Sequence, residues 1–156
     1  MRGNLILGCV TMAVCMALQC FVAGTLLRFL YVLEKKRVFR PTPVVTSAVL
    51  VGVMLVMLAG NLLQMTLWAV LFLACGEFPS FGTAFYHSFV NFTTLGYGDI
   101  VMSPARRLLG PLEAANGTLM FGLTTAFLFW VISALTRRMW ERRTGQDADS
   151  DGSPPQ

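Results

Sequence analysis

The chain has 156 residues, of which 55% are apolar and 13% are charged, with a formal net charge of +4. Soluble globular domains carry about 25% charged residues, so the composition excludes an ordinary soluble domain and indicates a membrane protein. The apolar stretches use most of the chain, which leaves no room for a separate soluble domain.

Three apolar stretches are each long enough to cross a bilayer, which takes about 20 residues. They cover residues 5–27, 44–75 and 108–136. The first is longer than the apolar core of a signal peptide, and no clear cleavage site follows it, so it is predicted to be a membrane helix. Three of the four cysteines lie in this span without metal-ligand spacing, as is typical of small apolar helix residues.

Two clusters of Lys and Arg flank these spans. They comprise Lys35, Lys36, Arg37 and Arg40 after the first span, and Arg137, Arg138, Arg142 and Arg143 after the third. Basic residues accumulate on the cytoplasmic side of membrane proteins. The clusters therefore predict a multi-pass protein of the plasma membrane with the N-terminus outside and the C-terminus in the cytoplasm. They also predict contact with anionic lipid, whereas nucleic acid is not an expected partner.

The basic stretch of residues 28–40 is either an amphipathic helix on the membrane surface or a solvated linker. We group it with the first span as an N-terminal unit, residues 1–40. The acidic, proline-ended tail of residues 139–156 is predicted to be disordered.

The segment between the second and third spans is aromatic and, over residues 81–93, uncharged. Irregular backbone at membrane depth is tolerated only inside protein or beside water, and an ordinary outer loop would not be this apolar. The pattern predicts a short re-entrant helix over 81–93, capped by Ser80. Its C-terminus near Thr93 would carry a partial negative charge that favours a cation.

The sequence TTLGYGD, Thr93–Asp99, follows this helix. Gly96 and Gly98 stand at alternate positions and tolerate unusual φ values. An extended ribbon of this kind can aim successive carbonyl oxygens at one axis. Several copies would then replace the water shell of a monovalent cation with rings of neutral oxygens, whereas rings of carboxylates suit divalent ions. Asp99 lies at the mouth, outside the ribbon.

The motif TTLGYGD, together with the order outer helix, pore helix, filter and inner helix over residues 41–138, resembles the pore domain of tetrameric potassium channels. The resemblance implies an all-α membrane fold of three transmembrane helices (outer helix 44–75, inner helix 108–136), a re-entrant pore helix (81–93) and an extended selectivity filter (94–99). It further implies assembly as a homotetramer. Alternatives are a weakly selective monovalent cation channel and a non-conducting regulatory membrane subunit.

By this resemblance K⁺ is the permeant ion, no cofactor is expected, and each chain supplies one quarter of the filter. The ion-binding filter residues would be Thr94, Leu95, Gly96, Tyr97 and Gly98, with K⁺ held by the carbonyls of the first four and by the Thr94 hydroxyl. The Tyr97 ring would pack away from the axis against aromatic residues of the pore helix and hold the ribbon at its width.

Four residues around the filter are candidates for supporting roles. Thr93 and Asp99 border the ribbon, and we expect the Tyr86 hydroxyl to donate a hydrogen bond to Asp99 and so brace it. His87, the only histidine, is either a hydrogen-bonded packing residue or an external pH sensor, since histidine titrates near neutrality.

The third span carries five further candidates. Glu113 is costly inside a membrane and so implies a partner, either a pore-helix residue such as Asn91 or the interface. Gly117, Gly122 and Glu113 are candidate gating or hinge positions, although close helix packing is an equal alternative for Gly117. Thr118 and Thr125 share one helical face and either line the cavity or bond between helices.

Other functions have less support in the sequence. No nucleophile–base pair and no metal cluster is visible, so an enzyme is not predicted. A voltage sensor needs regularly spaced arginines within a span, and the first span has only Arg28 near one end. In the second span, Asn61 and Gln64 lie on one face and are expected to contact other helices instead of lipid.

Overall fold

The structure is a computed structural model that describes residues 2–35 and 42–150. Within these ranges the chain is built from four α-helices without strands. They are α1 (Arg2–Lys35), α2 (Pro43–Ala74), α3 (Phe81–Phe92) and α4 (Leu109–Ser150). Three of them contain stretches long and apolar enough to cross a membrane, namely Arg2–Leu33, Val44–Ala74 and Leu109–Arg137. The predicted all-helical, multi-pass architecture is confirmed.

The helix bounds differ from the prediction mainly at the polar ends. Helix α1 continues without a break to Lys35, so the first part of the basic stretch is helical; residues 36–41 lie outside the described residues. Helix α4 continues beyond the predicted end at 136 to Ser150, so residues 139–150 of the predicted disordered tail are helical. Hydropathy marks where apolar sequence ends, but Arg, Glu, Met and Gln, which form helices well, carry α4 further.

Capping residues fix the starts of α2 and α3. Thr42 Oγ1 accepts a hydrogen bond from the Val45 amide at 3.3 Å, and Ser80 Oγ accepts one from the Thr83 amide at 3.3 Å. Side-chain oxygens at this position satisfy amides that have no partner within the helix. The Ser80 cap predicted from the sequence is therefore confirmed, and it fixes where the short helix α3 begins.

Helix α1 packs against α2 and α4, and a chain of buried amides links all three. Gln64 Nε2 donates to Gln19 Oε1 at 2.8 Å, and Asn116 Nδ2 donates to Gln64 Oε1 at 3.5 Å. The Gln19 amide fits because Gly60 has no side chain; a Cβ there would stand 2.8 Å from Gln19 Oε1. Asn61 is also buried. The prediction that Asn61 and Gln64 face other helices is confirmed.

Helix α3 lies against α2 and α4, on an apolar cluster rich in aromatic rings. Phe72 of α2 packs against Trp68 with ring centroids 5.8 Å apart and against Phe78 at 6.2 Å. Phe92, at the end of α3, is fully buried and meets Phe121 of α4 edge-on at 5.7 Å. This packing fixes the direction in which the chain leaves α3.

Candidate functional site

The backbone after α3 turns back directly and caps the helix that precedes it. The Thr94 amide donates to the Asn91 carbonyl at 2.8 Å, and the Leu95 amide donates to the Val90 carbonyl at 2.9 Å. Thr93 ends the helix, and its hydroxyl donates to the Phe89 carbonyl at 2.8 Å. The first residues of the ribbon are thus tied to the C-terminal turn of α3, where the helix carries its partial negative charge.

Residues 94–98 alternate in the sign of φ. Thr94, Gly96 and Gly98 have φ values of 60°, 56° and 74°, while Leu95 and Tyr97 are not among the residues with positive φ. Alternation of this kind turns successive peptide groups the same way. The sequence predicted unusual φ for the two glycines but missed Thr94, a β-branched residue for which a positive φ is strained. Such strain is common at functional sites, and nothing in the residue type reveals it.

The ribbon is exposed in the single chain, and its carbonyl oxygens accept no hydrogen bond from a described residue. Residues 94–99 are all exposed, and within the described residues no group donates a hydrogen bond to the carbonyls of 94–97. Tyr97 is 68% exposed, and its ring makes no aromatic contact in the described part of the chain. The implied packing of Tyr97 on the aromatic residues of α3 is therefore absent within one chain. The geometry offers a row of oxygen acceptors that no described residue occupies.

The C-terminal end of the ribbon is held by the side chain of Tyr86. Its hydroxyl donates to Asp99 Oδ2 at 2.7 Å, as predicted. This hydrogen bond lowers the pKa of Asp99 below its ordinary value, with a smaller contribution from the amides of Asp99 and Ile100. The same bond raises the pKa of Tyr86. The pair is stable as an ionised carboxylate beside a neutral phenol.

His87 holds the chain just beyond the ribbon. Its Nδ1–H donates to the Ile100 carbonyl at 3.0 Å, and its Nε2 accepts from Asn91 Nδ2 at 2.8 Å. The ring is 6% exposed and packs on Phe78, with centroids 4.8 Å apart. Both nitrogens are used by the neutral ring, and burial lowers the pKa of His87. These contacts confirm the predicted packing role, while the pH-sensor role stays a prediction.

Glu77, in the turn before α3, holds the loop that follows the ribbon. Its carboxylate accepts from the Ser103 amide and the Ser103 hydroxyl, both at 2.8 Å. Arg106 Nε lies 3.5 Å from Glu77 Oε1. Sequence reasoning missed this cluster, because Glu77 and Ser103 are far apart in the chain and no spacing rule connects them.

The inner side of α3 touches α4 at a glycine. A Cβ on Gly117 would stand 1.9 Å from the Phe92 carbonyl oxygen, so the two backbones are in direct contact. Close packing, one of the two roles predicted for Gly117, is confirmed. A Cβ on Gly122 would meet nothing within 4 Å. The hinge role of both glycines stays a prediction.

Glu113 of α4 is fully buried and contacts the short helix α3, as predicted. Its hydrogen bond is formed with Ser88, whereas Asn91, one turn further along α3, lies close to the carboxyl group. Thr118 and Thr125 are exposed in the single chain and donate to carbonyls of their own helix, at 3.0 and 2.9 Å. Neither residue bonds to another helix in the described part of the chain, so the predicted helix–helix bonding is not observed within one chain.

A family model described as an ion channel matches residues 44–134, which include α2, α3, the ribbon and most of the membrane-spanning part of α4. No curated protein and no solved structure matches. Since the matched region exceeds half of the chain and contains the two helices, the short helix and the ribbon described above, the chain belongs to the ion channel family of two-transmembrane pore modules.

Proposed function

We propose that the chain conducts K⁺ passively across the plasma membrane, through a filter formed by four copies of residues 94–98. The observation that carries the proposal is a row of carbonyls that receive no hydrogen bond from the described part of the chain, on a backbone with alternating φ at the C-terminus of α3. Oxygens in such a row need a partner, and the helix end favours a cation. Neutral carbonyls replace the hydration shell of a monovalent ion at little electrostatic cost.

Assembly as a homotetramer is supported by the outer surface of α3. One chain supplies one ribbon, so a closed ring of oxygens needs further copies. Phe81, Tyr86 and Phe89 of α3 and Tyr97 of the ribbon are all exposed in the single chain. A neighbouring copy would cover them, and the Tyr97 ring would then pack between chains to hold the ribbon at its width.

The remaining expectations are consistent with this arrangement. Thr118 and Thr125 would line the water-filled cavity below the ribbon, since their side chains are exposed in the single chain. The N-terminus would lie outside and the C-terminus in the cytoplasm, where the basic clusters would contact anionic lipid. Of the first cluster only Lys35 is within the described residues.

A weakly selective cation channel and a non-conducting subunit are the alternatives, and one flux experiment separates all three. The full chain is purified, reconstituted in liposomes, and K⁺ and Na⁺ efflux are measured in parallel, with block by Ba²⁺ as a check on the pore. We expect K⁺ flux to exceed Na⁺ flux by at least about tenfold. Similar rates would indicate the weakly selective channel.

Gly96→Ala and Gly52→Ala are the matched variants. Gly96 has φ +56°, where an L side chain costs about 1–2 kcal/mol, so this variant is expected to lose K⁺ flux. Gly52 lies on α2, where an added Cβ would meet nothing within 4 Å, so its variant is expected to conduct normally. Absence of flux from correctly assembled wild-type tetramers would favour the non-conducting subunit.

A further inference from the structure

A second polar site lies behind α3, where three helices meet at the side chain of Ser88. Ser88 Oγ lies 2.7 Å from the backbone carbonyl of Met65 in α2. It also lies within hydrogen-bond distance of Glu113 Oε1 in α4. Ser88 and Glu113 are both fully buried. One hydroxyl thus connects the short helix α3 to both membrane helices that hold it.

The hydrogen bonds at this junction depend on whether the Glu113 carboxyl group is ionised or protonated. A backbone carbonyl and a carboxylate can only accept hydrogen bonds, while a serine hydroxyl has one proton to donate. If Glu113 were ionised, Ser88 could satisfy only one of its two neighbours, and the other oxygen pair would be in repulsive contact. If Glu113 carries a proton, it donates to Ser88 Oγ, and Ser88 donates to the Met65 carbonyl. Both contacts are then hydrogen bonds.

The surroundings of Glu113 agree with the neutral form. Glu113 Oε2 is buried and has no hydrogen-bond partner among the described residues, which is far more costly for an ion than for a neutral acid. Glu113 also forms no ion pair with a described residue. A carboxylate in this place would be a buried charge with no described cation beside it, and only the Ser88 hydroxyl and the Asn91 amide lie close to it.

The titratable groups around the junction do not supply a cation. Cys15 faces it from α1, and His87 of α3 is joined to it only through Asn91. No titratable residue of α2 takes part within the described range. Arg107, in the loop before α4, is exposed and lines an outer depression with His87 and Asn91.

We propose that Glu113 is a neutral carboxylic acid that donates its proton to Ser88, and that the chain Glu113–Ser88–Met65 carbonyl positions α3 between α2 and α4. Glu113 is thus a positioning residue for the ribbon, which begins two residues after α3 ends. This role rests on the proposed conduction only for its flux measurement, since the protonation state is observed separately.

Infrared difference spectroscopy of the full chain in lipid bilayers tests the protonation state. We expect a carbonyl band of a protonated carboxylic acid at neutral pH that is lost in Glu113→Gln. In Ser88→Ala the band is expected to move to higher frequency, because the acid loses its hydrogen-bond acceptor. Wild-type and Glu113→Gln spectra without such a difference would overturn the proposal, whether or not the protein conducts K⁺.

Flux and thermal unfolding test the positioning role. The side-chain amide introduced by Glu113→Gln can donate to Ser88 as the acid does, so this variant is expected to keep K⁺ flux within about twofold of wild type. Glu113→Leu removes the donor and leaves buried Ser88 with one contact fewer, which is expected to lower flux by about tenfold or more. If Glu113→Leu does not fold, the flux of Glu113→Gln still tests the positioning role. A tenfold loss of flux in Glu113→Gln would overturn the positioning role.

Discussion

The contact between Gly117 and Phe92 makes the most stringent prediction. In Gly117→Ala the new Cβ would stand 1.9 Å from the Phe92 carbonyl oxygen, 2.8 Å from its carbonyl carbon and 3.1 Å from its Cα. Carbon and carbonyl oxygen approach to about 3.3 Å at closest, so the backbones must separate by roughly 1.4 Å. A backbone cannot yield as a flexible side chain does, and Phe92 is fully buried.

Overpacking a well-packed interior lowers the stability of a protein by about 1–3 kcal/mol. A clash of this size with backbone atoms is expected to cost at least as much as the upper end of that range. Since Thr93 and the ribbon follow Phe92 directly, moving the end of α3 also moves the ribbon. We expect Gly117→Ala to lower the free energy of unfolding by about 3 kcal/mol and to abolish K⁺ flux.

The assay is thermal unfolding of the purified protein together with liposome flux. Gly52→Ala and Gly122→Ala are the controls, because a Cβ at either position would meet nothing within 4 Å. Each variant replaces a helical glycine by alanine, and this replacement stabilises the helix by up to about 1 kcal/mol. If Gly117→Ala were as stable and as active as these two variants, the close contact between α3 and α4 would be refuted. Loss of flux in Gly122→Ala with unchanged stability would support a hinge there.

Three further predictions concern the groups around the ribbon. In Tyr86→Phe we expect the pKa of Asp99 to return towards 3.8, because its main hydrogen bond is lost. In the wild type that bond stabilises the fold fully above pH 3.8, and this stabilisation is lost as the pH falls through the lowered pKa. Both ¹³C NMR titration of Asp99 and acid unfolding report the change, and curves identical to wild type would contradict the prediction. Burial lowers the pKa of His87 below 6.5, so the free energy of unfolding is expected to be highest above pH 6.5 and to fall as the pH drops through the lowered pKa. His87→Gln should remove this sensitivity of the stability to acid. Current measured from pH 5 to 8 in the same variant tests the pH-sensor role. Glu77→Gln weakens the charge-assisted hydrogen bonds from Ser103, which are worth about 1.5–3 kcal/mol, so hydrogen exchange of the Ser103 amide should accelerate. The control Gly52→Ala should leave this exchange rate unaltered. An unchanged exchange rate in Glu77→Gln would argue against the contact between Glu77 and Ser103.

Much of the fold follows from the sequence because its strongest signals are local. The length and hydropathy of the three spans predict the membrane helices, and Ser80 with the aromatic run after it predicts where α3 begins. The ends of α1 and α4 do not follow, because hydropathy reports the lipid boundary while helix formation continues through Arg, Glu and Lys. The hydrogen bond from Tyr86 to Asp99 was predictable only through the resemblance to potassium-channel pores, because Tyr86 lies within α3 and Asp99 ends the motif that follows it.

The contacts between distant segments were less accessible. The sequence indicates that Glu113 needs a partner, but Ser88 and Asn91 lie one turn apart on the same face of α3, so the choice between them depends on where along α3 the carboxyl group lies. Nothing in the sequence pairs Glu77 with Ser103, and the positive φ of Thr94 arises from how the chain leaves α3. These features depend on the relative placement of helices, which one residue pattern does not determine.

The contacts around α3 explain how a ribbon with few bonds of its own can keep a defined width. Residues 95–98 donate bonds only at their first end, to Val90, and receive none from described residues along their length. Support comes instead from the two ends: α3 is held by Gly117 and Ser88, and the outgoing chain is held by Tyr86 and His87. A segment fixed only at its ends transmits any movement of those ends along its whole length. Selectivity should therefore respond to substitutions at these anchors even though none of their side chains would touch the ion.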